Sequence, residues 1–319
     1  MKYNINITSF NVNGIRSFEK HVKEKYNKSL NDFFLSTLRS EIICLQETKT
    51  NQISDYSSMK DYISFFSVNK KKNGYCGVTT FIKKSFYVNK VIYDEEGRFL
   101  LTNHNSFIIL NVYFPFFDEK NYKKDLERKR EEVIDFYKKI EEIVNKNKCV
   151  ILLGDFNAVY DFKDHYQYIK EYDKVREINK EIQPIRKENP LPTELPFSFF
   201  NEKDLKKYLF STFQREWLFN FLQRNTHYDS FRKIYQNERK KYTCWNTLLD
   251  LRSKNLGTRI DLILIPKEIS LINSEILTHV YGSDHCPVTA LVEVECNFDE
   301  KNLCKKNNNL LSFLKINKI

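Results

Sequence analysis

Two polar groups near the end of the chain have the residue types and spacing for proton chemistry. Residues 282–287 read Gly-Ser-Asp-His-Cys-Pro, and about twenty residues earlier Arg259-Ile260-Asp261 opens an apolar run typical of a strand. A histidine that carries a proton near neutral pH needs a carboxylate behind it, which fixes its tautomer and raises its basicity. We therefore interpret Asp261 as the partner of His285.

Other strand-like runs also end in polar residues. Asn11-Val12-Asn13-Gly14 follows the first apolar run, Gln46-Glu47 the second, and Asp155-Phe156-Asn157 another, while Tyr113 ends a further one. The asparagines before Gly14 can equally form a turn, and Asp155-Phe156-Asn157 can be an Asx turn. Glu47 is more informative, because an ionised carboxylate directly after a buried run costs desolvation free energy unless a cation or donor meets it.

These side chains together have what phosphodiester hydrolysis requires. Glu47, with Asn13 and Asp284, offers the hard oxygen ligands that suit Mg²⁺. Asp155 can orient and deprotonate a water, with Asn157 beside it. His285 and the Tyr113 phenol can donate hydrogen bonds to phosphate oxygens. The pattern predicts metal-dependent cleavage of a phosphodiester.

Six motifs carry a resemblance to a known family. FNVNGIRS, CLQETK, NVYFP, GDFNA, GTRIDLIL and GSDHCPV occur in this order between residues 9 and 288. They resemble the exonuclease III family of class II abasic-site endonucleases, within the endonuclease/exonuclease/phosphatase superfamily. The resemblance implies an α/β fold, a two-sheet α/β sandwich like that of DNase I, and a Mg²⁺ cofactor that Mn²⁺ can replace.

The same resemblance implies a role for each site residue. The implied metal ligands are Glu47, Asn13, Asp284, Asp155, Asn157 and His285. The implied catalytic residues are Tyr113, Asp155, Asn157, Asp261, His285 and Asn11. Some family members carry Asp where this chain has Asn13, which leaves the number of metal ions open.

Residues 212–249 narrow the resemblance to the type-2 AP endonucleases of eukaryotes, through Arg215-Glu216-Trp217-Leu218 and Tyr242-Thr243-Cys244-Trp245-Asn246. In the type-1 branch, an aromatic residue at the position of Cys244 and a tryptophan at that of Thr258 line the pocket for the abasic sugar. Here the implied pocket residues are Cys244, Trp245, Thr258 and Ile260. This implies weaker incision at abasic sites, better processing of 3′-blocked or mismatched ends, and a nuclear protein of base excision repair.

The charge balance favours a polyanionic partner. Lys and Arg total 52 against 42 for Asp and Glu, a net charge of +10, which attracts the phosphates of double-stranded DNA. The candidate phosphate contacts are Lys70, Lys71, Lys72 and Asn73 before Gly74, and Arg252 and Lys254 near Trp245. The alternative for the lysine run is a solvated turn.

The chain reads as a single domain over residues 1–297. It has only 7 glycines and 7 prolines and no repeat period. It has no long apolar run, so we expect a soluble protein without a membrane span. It has no Cys-x-x-Cys pair, which favours a reducing compartment, and we expect a monomer. Charged residues and prolines make 161–196 a long insertion, either an edge of the site or tolerated surface.

Residues 298–319 read as a tail. Asn307 to Leu314 resembles a degenerate sliding-clamp-binding peptide, in which one helical turn would place Leu310, Phe313 and Leu314 on one face. The alternative is a frayed terminus or a segment that packs on its own domain.

The rival functions are other enzymes of the same superfamily and a protein without catalytic activity. Inositol-polyphosphate phosphatases typically carry Trp-Cys-Asp-Arg where this chain has Gly257-Thr258-Arg259-Ile260-Asp261, and deadenylases are a further alternative. A non-catalytic adaptor that binds DNA and a sliding clamp would be expected to lose at least one site residue, and the intact set in this chain argues against it. His165 lies in the insertion without a partner signature and is interpreted as surface.

Overall fold

Two mixed β-sheets of six strands each pack face to face in the described part of the chain. The structure is a computed structural model and describes residues 2–57, 59–117, 125–170, 172–174, 177 and 213–295. The strands are β1 (Lys2–Asn11), β2 (Ile42–Gln46), β3 (Tyr62–Ser67), β4 (Val78–Lys83), β5 (Lys90–Tyr93), β6 (Phe99–Asn103), β7 (Ile108–Tyr113), β8 (Val150–Asp155), β9 (His227–Asp229), β10 (Asp261–Pro266), β11 (Ser270–Ile276) and β12 (Val288–Glu295). The helices are α1 (Ile15–Tyr26), α2 (Leu30–Phe33), α3 (Leu126–Lys146), α4 (Phe213–Gln223) and α5 (Ser230–Ile234). The prediction of a two-sheet α/β sandwich is confirmed.

Each sheet has one parallel strand pair at its centre. The first sheet has the order β11-β12-β1-β2-β4-β3 and the second β5-β6-β7-β8-β10-β9. Strands β1 and β2 run parallel, as do β7 and β8, and the other pairs are antiparallel. The carboxyl ends of parallel neighbours meet at one edge of a sheet, so the polar residues after β1, β2, β7 and β8 lie together.

Apolar side chains explain the layering. Ile7, Ile109, Ile151 and Ile263 are fully buried among the side chains between the sheets. A second cluster places α3 and α4 against the outer face of the second sheet, and a third places α1 and α2 against the first. The central strands are buried on both faces, which is why they are continuous apolar runs in the sequence.

A buried amide pair joins the sheets beneath the strand ends. Gln46 Nε2 donates to Asn111 Oδ1 at 2.8 Å, and Asn111 Nδ2 donates to the carbonyls of Leu45 and Thr79 at 3.3 and 3.1 Å. Both side chains are fully buried. Because buried amides need partners, this pair fixes the position of β2 relative to β7.

The structure contains strands that the sequence analysis did not identify. The apolar runs of the sequence predict seven strands, which correspond to β1, β2, β4, β7, β8, β10 and β12, and lie at residues 4–10, 42–46, 77–82, 107–113, 149–154, 260–265 and 288–294. Helical spacing of apolar residues predicts helices over about 120–145 and 212–223, which correspond to α3 and α4. The additional strands β3, β5, β6, β9 and β11 are mostly edge or short strands, and β5 and β11 are largely exposed. Exposure of one face dilutes the apolar pattern from which a strand is predicted.

The proposed boundary at 297, the sliding-clamp peptide with Leu310, Phe313 and Leu314, and most of the 161–196 insertion fall outside the described residues. Among the described helices, none has the length and apolar character to cross a membrane.

A buried ion network lies below β10. Arg259 donates from Nε and Nη2 to the Asp164 carboxylate at 2.8 Å each and from Nη2 to Asp229 at 2.7 Å. Arg232 pairs with the same Asp164, and Tyr160 donates to Asp229 at 3.0 Å. Burial acts to raise the pKa of Asp164, but Arg259 and Arg232 together lower it. The network anchors the chain two residues before Asp261.

Removing one member of this network should destabilise the protein strongly. We expect Arg259→Met to lower the free energy of unfolding by about 3–5 kcal/mol, because two buried carboxylates lose their shared cation. Urea denaturation measures the change. Lys146→Met, in the exposed pair with Glu142, is the control and should change stability by less than about 0.5 kcal/mol. Equal, small effects would mean that the network does not hold β10.

Candidate active site

Asn11, at the end of β1, connects the two halves of the site. Its Nδ2 donates to Glu47 Oε1 and to Asp155 Oδ2, both at 2.8 Å. Its carbonyl accepts from Ser283 Oγ at 2.8 Å, which ties the loop after residue 281 to the strand ends. Asn11 is itself fully buried. One amide thus holds carboxylates that come from different sheets.

The first half of the site centres on Glu47. Lys49 Nζ lies 2.8 Å from Glu47 Oε2 and 2.5 Å from Asn13 Oδ1, while Asn13 Nδ2 donates to Asp284 Oδ1 at 3.1 Å. Burial acts to raise the pKa of Glu47, but the hydrogen bonds from Asn11 and Lys49 outweigh it and lower that pKa. Glu47 is therefore ionised at neutral pH.

The second half contains the predicted Asp–His pair. His285 Nδ1 lies 2.8 Å from Asp261 Oδ2, and His285 Nε2 lies 4.0 Å from Asp155 Oδ2. Burial acts to lower the pKa of His285, but the charge of Asp261 raises it well above its usual range. The ring thus carries a proton on the nitrogen that faces Asp155.

Asp155 lies beneath this imidazole. Burial raises the pKa of the Asp155 carboxyl, the charge of His285 opposes this shift, and Asp261 adds to it. The backbone N–H of Asn157 donates to Asp155 Oδ1 at 2.9 Å, and Asn157 Nδ2 donates to the Phe114 carbonyl at 2.9 Å. A carboxyl with a raised pKa is suited to take up a proton in a reaction near neutral pH.

Local backbone geometry aims these side chains. Asn13, Glu47, Lys49 and Asn157 all have φ between 47° and 51°, a left-handed conformation that costs a non-glycine residue free energy. Gly154, before Asp155, approaches Val112 so closely that a Cβ atom would lie 1.8 Å from the Val112 carbonyl oxygen. These backbone conformations turn the chain directly after β1, β2 and β8 and so set the direction of the side chains there.

Tyr113 completes this side of the site. Burial raises the pKa of its phenol, and the charges of Glu47 and Asp155 add to the shift. Arg98 lies over its ring, with the guanidinium carbon 5.3 Å from the ring centre. The phenol therefore stays protonated and can donate a hydrogen bond.

The predicted pocket residues are only partly brought together. Cys244, Thr258 and Ile260 are half-buried. Cys244 pairs with both Thr258 and His285 as a β-bridge, and its thiol is within hydrogen-bonding reach of His285. Trp245, in contrast, has only 3% of its surface exposed. It belongs to a buried cluster with Tyr242 and Cys286, so the structure favours a supporting role for it.

The structure also gives Arg252 a different role from the predicted phosphate contact. Its guanidinium donates to the carbonyls of Thr278, Val280, Ser283 and His285 at 2.7–3.4 Å. It also lies between the rings of Trp245 and Tyr281, at 4.6 and 4.2 Å. This geometry favours support of the His285 loop over a phosphate contact. Lys254 is exposed, and its DNA contact stays a prediction.

The lysine run is partly neutralised. Lys70 pairs with Glu95 at 3.3 Å and Lys71 with Glu96 at 3.4 Å, and Lys72 lies 4.4 Å from the ring centre of Tyr75. Exposed pairs of this kind are weak, so they leave these lysines able to exchange partners.

Sequence reasoning missed three positioning residues. Lys49 and Ser283 lie inside motifs whose neighbours were identified, two residues from Glu47 and His285 respectively. Ser283 Oγ accepts from the backbone N–H of His285 at 3.2 Å. Thr243 Oγ1 accepts from the N–H groups of Ile260 and Asp261 at 3.1 Å each. The signal for Lys49 and Ser283 was their place inside these motifs, whereas the Thr243 hydroxyl has no sequence signature because its partners are distant in the chain.

The donor set fits a divalent cation. Glu47, Asp284 and the Asn13 amide oxygen are hard oxygen ligands on one side. Within the described residues, Asp155, Asp261 and His285 offer ligand atoms that all lie within 4.8 Å of one another, and Asp261 Oδ1 is buried without a hydrogen-bond partner. Buried oxygens without a partner are where an ion or a water is expected.

Comparison with known proteins agrees with this fold. The sequence pattern of the Endonuclease/Exonuclease/phosphatase family matches residues 8–285, and the chain belongs to this family. It is 28% identical to the DNA-(apurinic or apyrimidinic site) endonuclease 2 of Xenopus laevis over 91% of this chain and 60% of that protein. It is 27% identical to the exodeoxyribonuclease of Bacillus subtilis over 90% of this chain and 99% of that protein.

Among solved structures, the catalytic domain of Xenopus laevis APE2 is similar with a TM-score of 0.66 and 26% identity, covering 92% of this chain and 94% of that one. The chain spans about three fifths of the length of the curated endonuclease 2 relatives.

Glu47 is the residue whose replacement tests the cation site most directly. We expect Glu47→Gln to weaken Mn²⁺ binding at least about tenfold, because one anionic ligand is lost. Calorimetry or electron paramagnetic resonance of Mn²⁺ measures this without an activity assay. Glu95→Gln removes an exposed carboxylate paired with Lys70 and is the control. If both variants bind Mn²⁺ like the parent, Glu47 is structural and the ion binds elsewhere.

Proposed function

We propose that this protein is a Mg²⁺-dependent phosphodiesterase of DNA repair that acts at abasic sites and at 3′-blocked or mismatched ends. The observation that carries the proposal is the arrangement in which Asn11 joins Glu47 to Asp155, with the Asp261–His285 pair facing Asp155. It combines a cation site, a base and a protonated donor. The names of the relatives, an abasic-site endonuclease and an exodeoxyribonuclease, support DNA as the substrate.

Each residue has a distinct task in this proposal. Asp155 orients a water molecule and takes its proton, and Asn157, held to the Phe114 carbonyl, offers its amide oxygen to the same water. His285 donates from Nε2 to a non-bridging phosphate oxygen, and Asp261 keeps the imidazole protonated. Tyr113 donates a second hydrogen bond. Donors that are already positioned stabilise the charge that develops on the phosphate.

The proposed cation is Mg²⁺, with Mn²⁺ as a substitute, bound by Glu47 with Asn13 and Asp284 beside it. Bound there, it would neutralise charge on the phosphate and the leaving oxygen. Lys49 Nζ contacts both Glu47 and Asn13 and so keeps these two ligands in place. We also propose that the cation is bound in part by Asp155, Asn157 and His285.

The proposed DNA surface includes the loop of residues 246–256. Leu248 and Leu249 are 94% and 62% exposed, an unusual exposure for leucine, and Lys254 is exposed on the same loop. Apolar side chains that enter a DNA groove between base steps, next to cations that bind phosphates, are a known mode of DNA binding. The net charge of +10 favours the same partner.

Three further parts of the proposal rest on the sequence alone. They are a nuclear location, a monomeric state, and sliding-clamp binding by Leu310, Phe313 and Leu314 in the tail. The relatives include bacterial as well as animal proteins, so location is the least constrained of these.

Loss of the water-activating or the phosphate-binding group should abolish hydrolysis. We expect Asp155→Asn and His285→Ala each to lower kcat by about 10³-fold, the effect typical of a lost general base or oxyanion donor. The assay compares a duplex with an abasic site and a nick with a 3′-phosphate, side by side in Mg²⁺ and in Mn²⁺. Both variants should still bind DNA, measured by fluorescence anisotropy.

His279→Ala changes an exposed histidine and serves as the control, with activity close to that of the parent. Activity within about tenfold of the parent in both Asp155→Asn and His285→Ala would refute the site assignment. An inactive parent that binds the duplex would favour a DNA adaptor instead.

The salt dependence of binding separates the two kinds of contact on the 246–256 loop. We expect Lys254→Ala to lower the slope of log affinity against log salt by about 0.9, the value for one phosphate contact. Leu248→Ser should weaken binding without changing the slope, since an apolar contact releases no counterions. If the affinity of the parent protein for DNA stays constant between low and physiological salt, the proposed interface is contradicted.

A further inference from the structure

Four side chains form a row that begins at His285. His165 pairs with Thr258, Thr258 with Cys244, and Cys244 with His285, each as an antiparallel bridge. Directly opposed residues in antiparallel pairs point to the same face. Three strand spacings of about 4.8 Å make the row about 14 Å long. We call these four residues the imidazole row.

Backbone hydrogen bonds fix the row independently of its side chains. Cys244 and Thr258 exchange two N–H to carbonyl bonds of 2.9 Å each. The His165–Thr258 pair is flanked by the bonds of Tyr166 N–H to Gly257 at 3.1 Å and of Arg259 N–H to Asp164 at 2.8 Å. The spacing between neighbours is therefore that of a regular sheet.

The middle of the row is open. Cys244 and Thr258 have short side chains and are only half-buried, as is His165. His165 is therefore not the isolated surface residue that the sequence suggested. The row thus has an imidazole at each end and two short, half-buried side chains between them.

His165 is a rigid, uncharged ring. It stacks on Tyr166 and Tyr168, with ring centres 5.3 and 4.2 Å apart. Its Nδ1 accepts from the backbone N–H of Gln167 at 3.1 Å, so the neutral tautomer has its hydrogen on Nε2. Burial, with the charge of Arg215, lowers the pKa of His165 to about 4. Within the described part of the chain, its Nε2 has no hydrogen-bond partner.

We infer that the imidazole row binds the 3′-terminal nucleotide of a DNA strand and that His165 contacts its nucleobase, an inference that rests on the proposed phosphodiesterase function. The phosphate lies at His285, the sugar crosses Cys244 and Thr258, and the base on the far side of the sugar reaches His165. A neutral aromatic ring with a donor suits both the face and the edge of a base. His165 is thereby a specificity-determining residue for terminal nucleotides.

The test compares two strands that differ only in the terminal base. One duplex ends in a normal 3′ nucleotide and the other in a tetrahydrofuran residue, which has the sugar and phosphate without a base. We expect His165→Ala to lower kcat/KM for the normal nucleotide about tenfold, the effect of one lost aromatic contact to a base, through KM. Removal of the baseless residue should change less than about twofold.

His165→Phe keeps the ring and should restore most of the activity on the normal nucleotide, which also covers the case in which the alanine variant folds poorly. His279→Ala should leave both substrates unaffected. Equal losses on both substrates, or no loss on either, would overturn the role of His165. Removal of a 3′-phosphate is assayed in parallel, because a parent inactive on this substrate as well refutes the proposed function itself.

Discussion

Three carboxylates held close together without full access to water are the constraint on which the rest of the structure depends. Glu47, Asp155 and Asp261 come from the ends of strands in both sheets, and Asp155 and Asp261 are almost fully buried. Placing like charges in such a region is costly unless cations and donors compensate them. The compensation is divided: Lys49 faces Glu47, His285 faces Asp261 and Asp155, and the Asn11 amide connects Glu47 to Asp155.

This constraint explains why the framework is so rigid around the site. The central parallel pairs bring the carboxylates together, and the Gln46–Asn111 amide pair fixes one sheet against the other directly below them. After the strands, left-handed backbone at Asn13, Glu47 and Asn157 turns the side chains toward one another. This conformation costs roughly 1–2 kcal/mol at Glu47 and less at the asparagines, which adopt it more readily, and the surrounding sheets must hold that strain.

The sequence predicted those parts of the structure in which apolar pattern and function coincide. The central strands are buried on both faces, so their apolar runs are unbroken, and the polar residues that end them were identified at Glu47, Asp155 and Asp261. Exposed strands such as β5 and β11 lack that pattern. Trp245 was assigned to the sugar pocket from the family resemblance, and Arg252 to a phosphate contact from its place near Trp245. In the fold, Trp245 is buried and the donors of Arg252 are engaged by backbone carbonyls, which only tertiary structure decides.

The position of His165 could not be predicted from the sequence either. Its place depends on backbone pairing between residues 164–166 and 257–259, segments about ninety residues apart in the sequence. Because this pairing uses main-chain groups, the side chains at Cys244, Thr258 and His165 can change without displacing Asp261, which is held by Thr243 and by the anchor at Arg259. The pair proposed to do the chemistry and the surface proposed to select the substrate therefore share one set of strands. Their side chains are nonetheless free to vary separately, because main-chain hydrogen bonds and not the side chains of Cys244, Thr258 and His165 pair these strands.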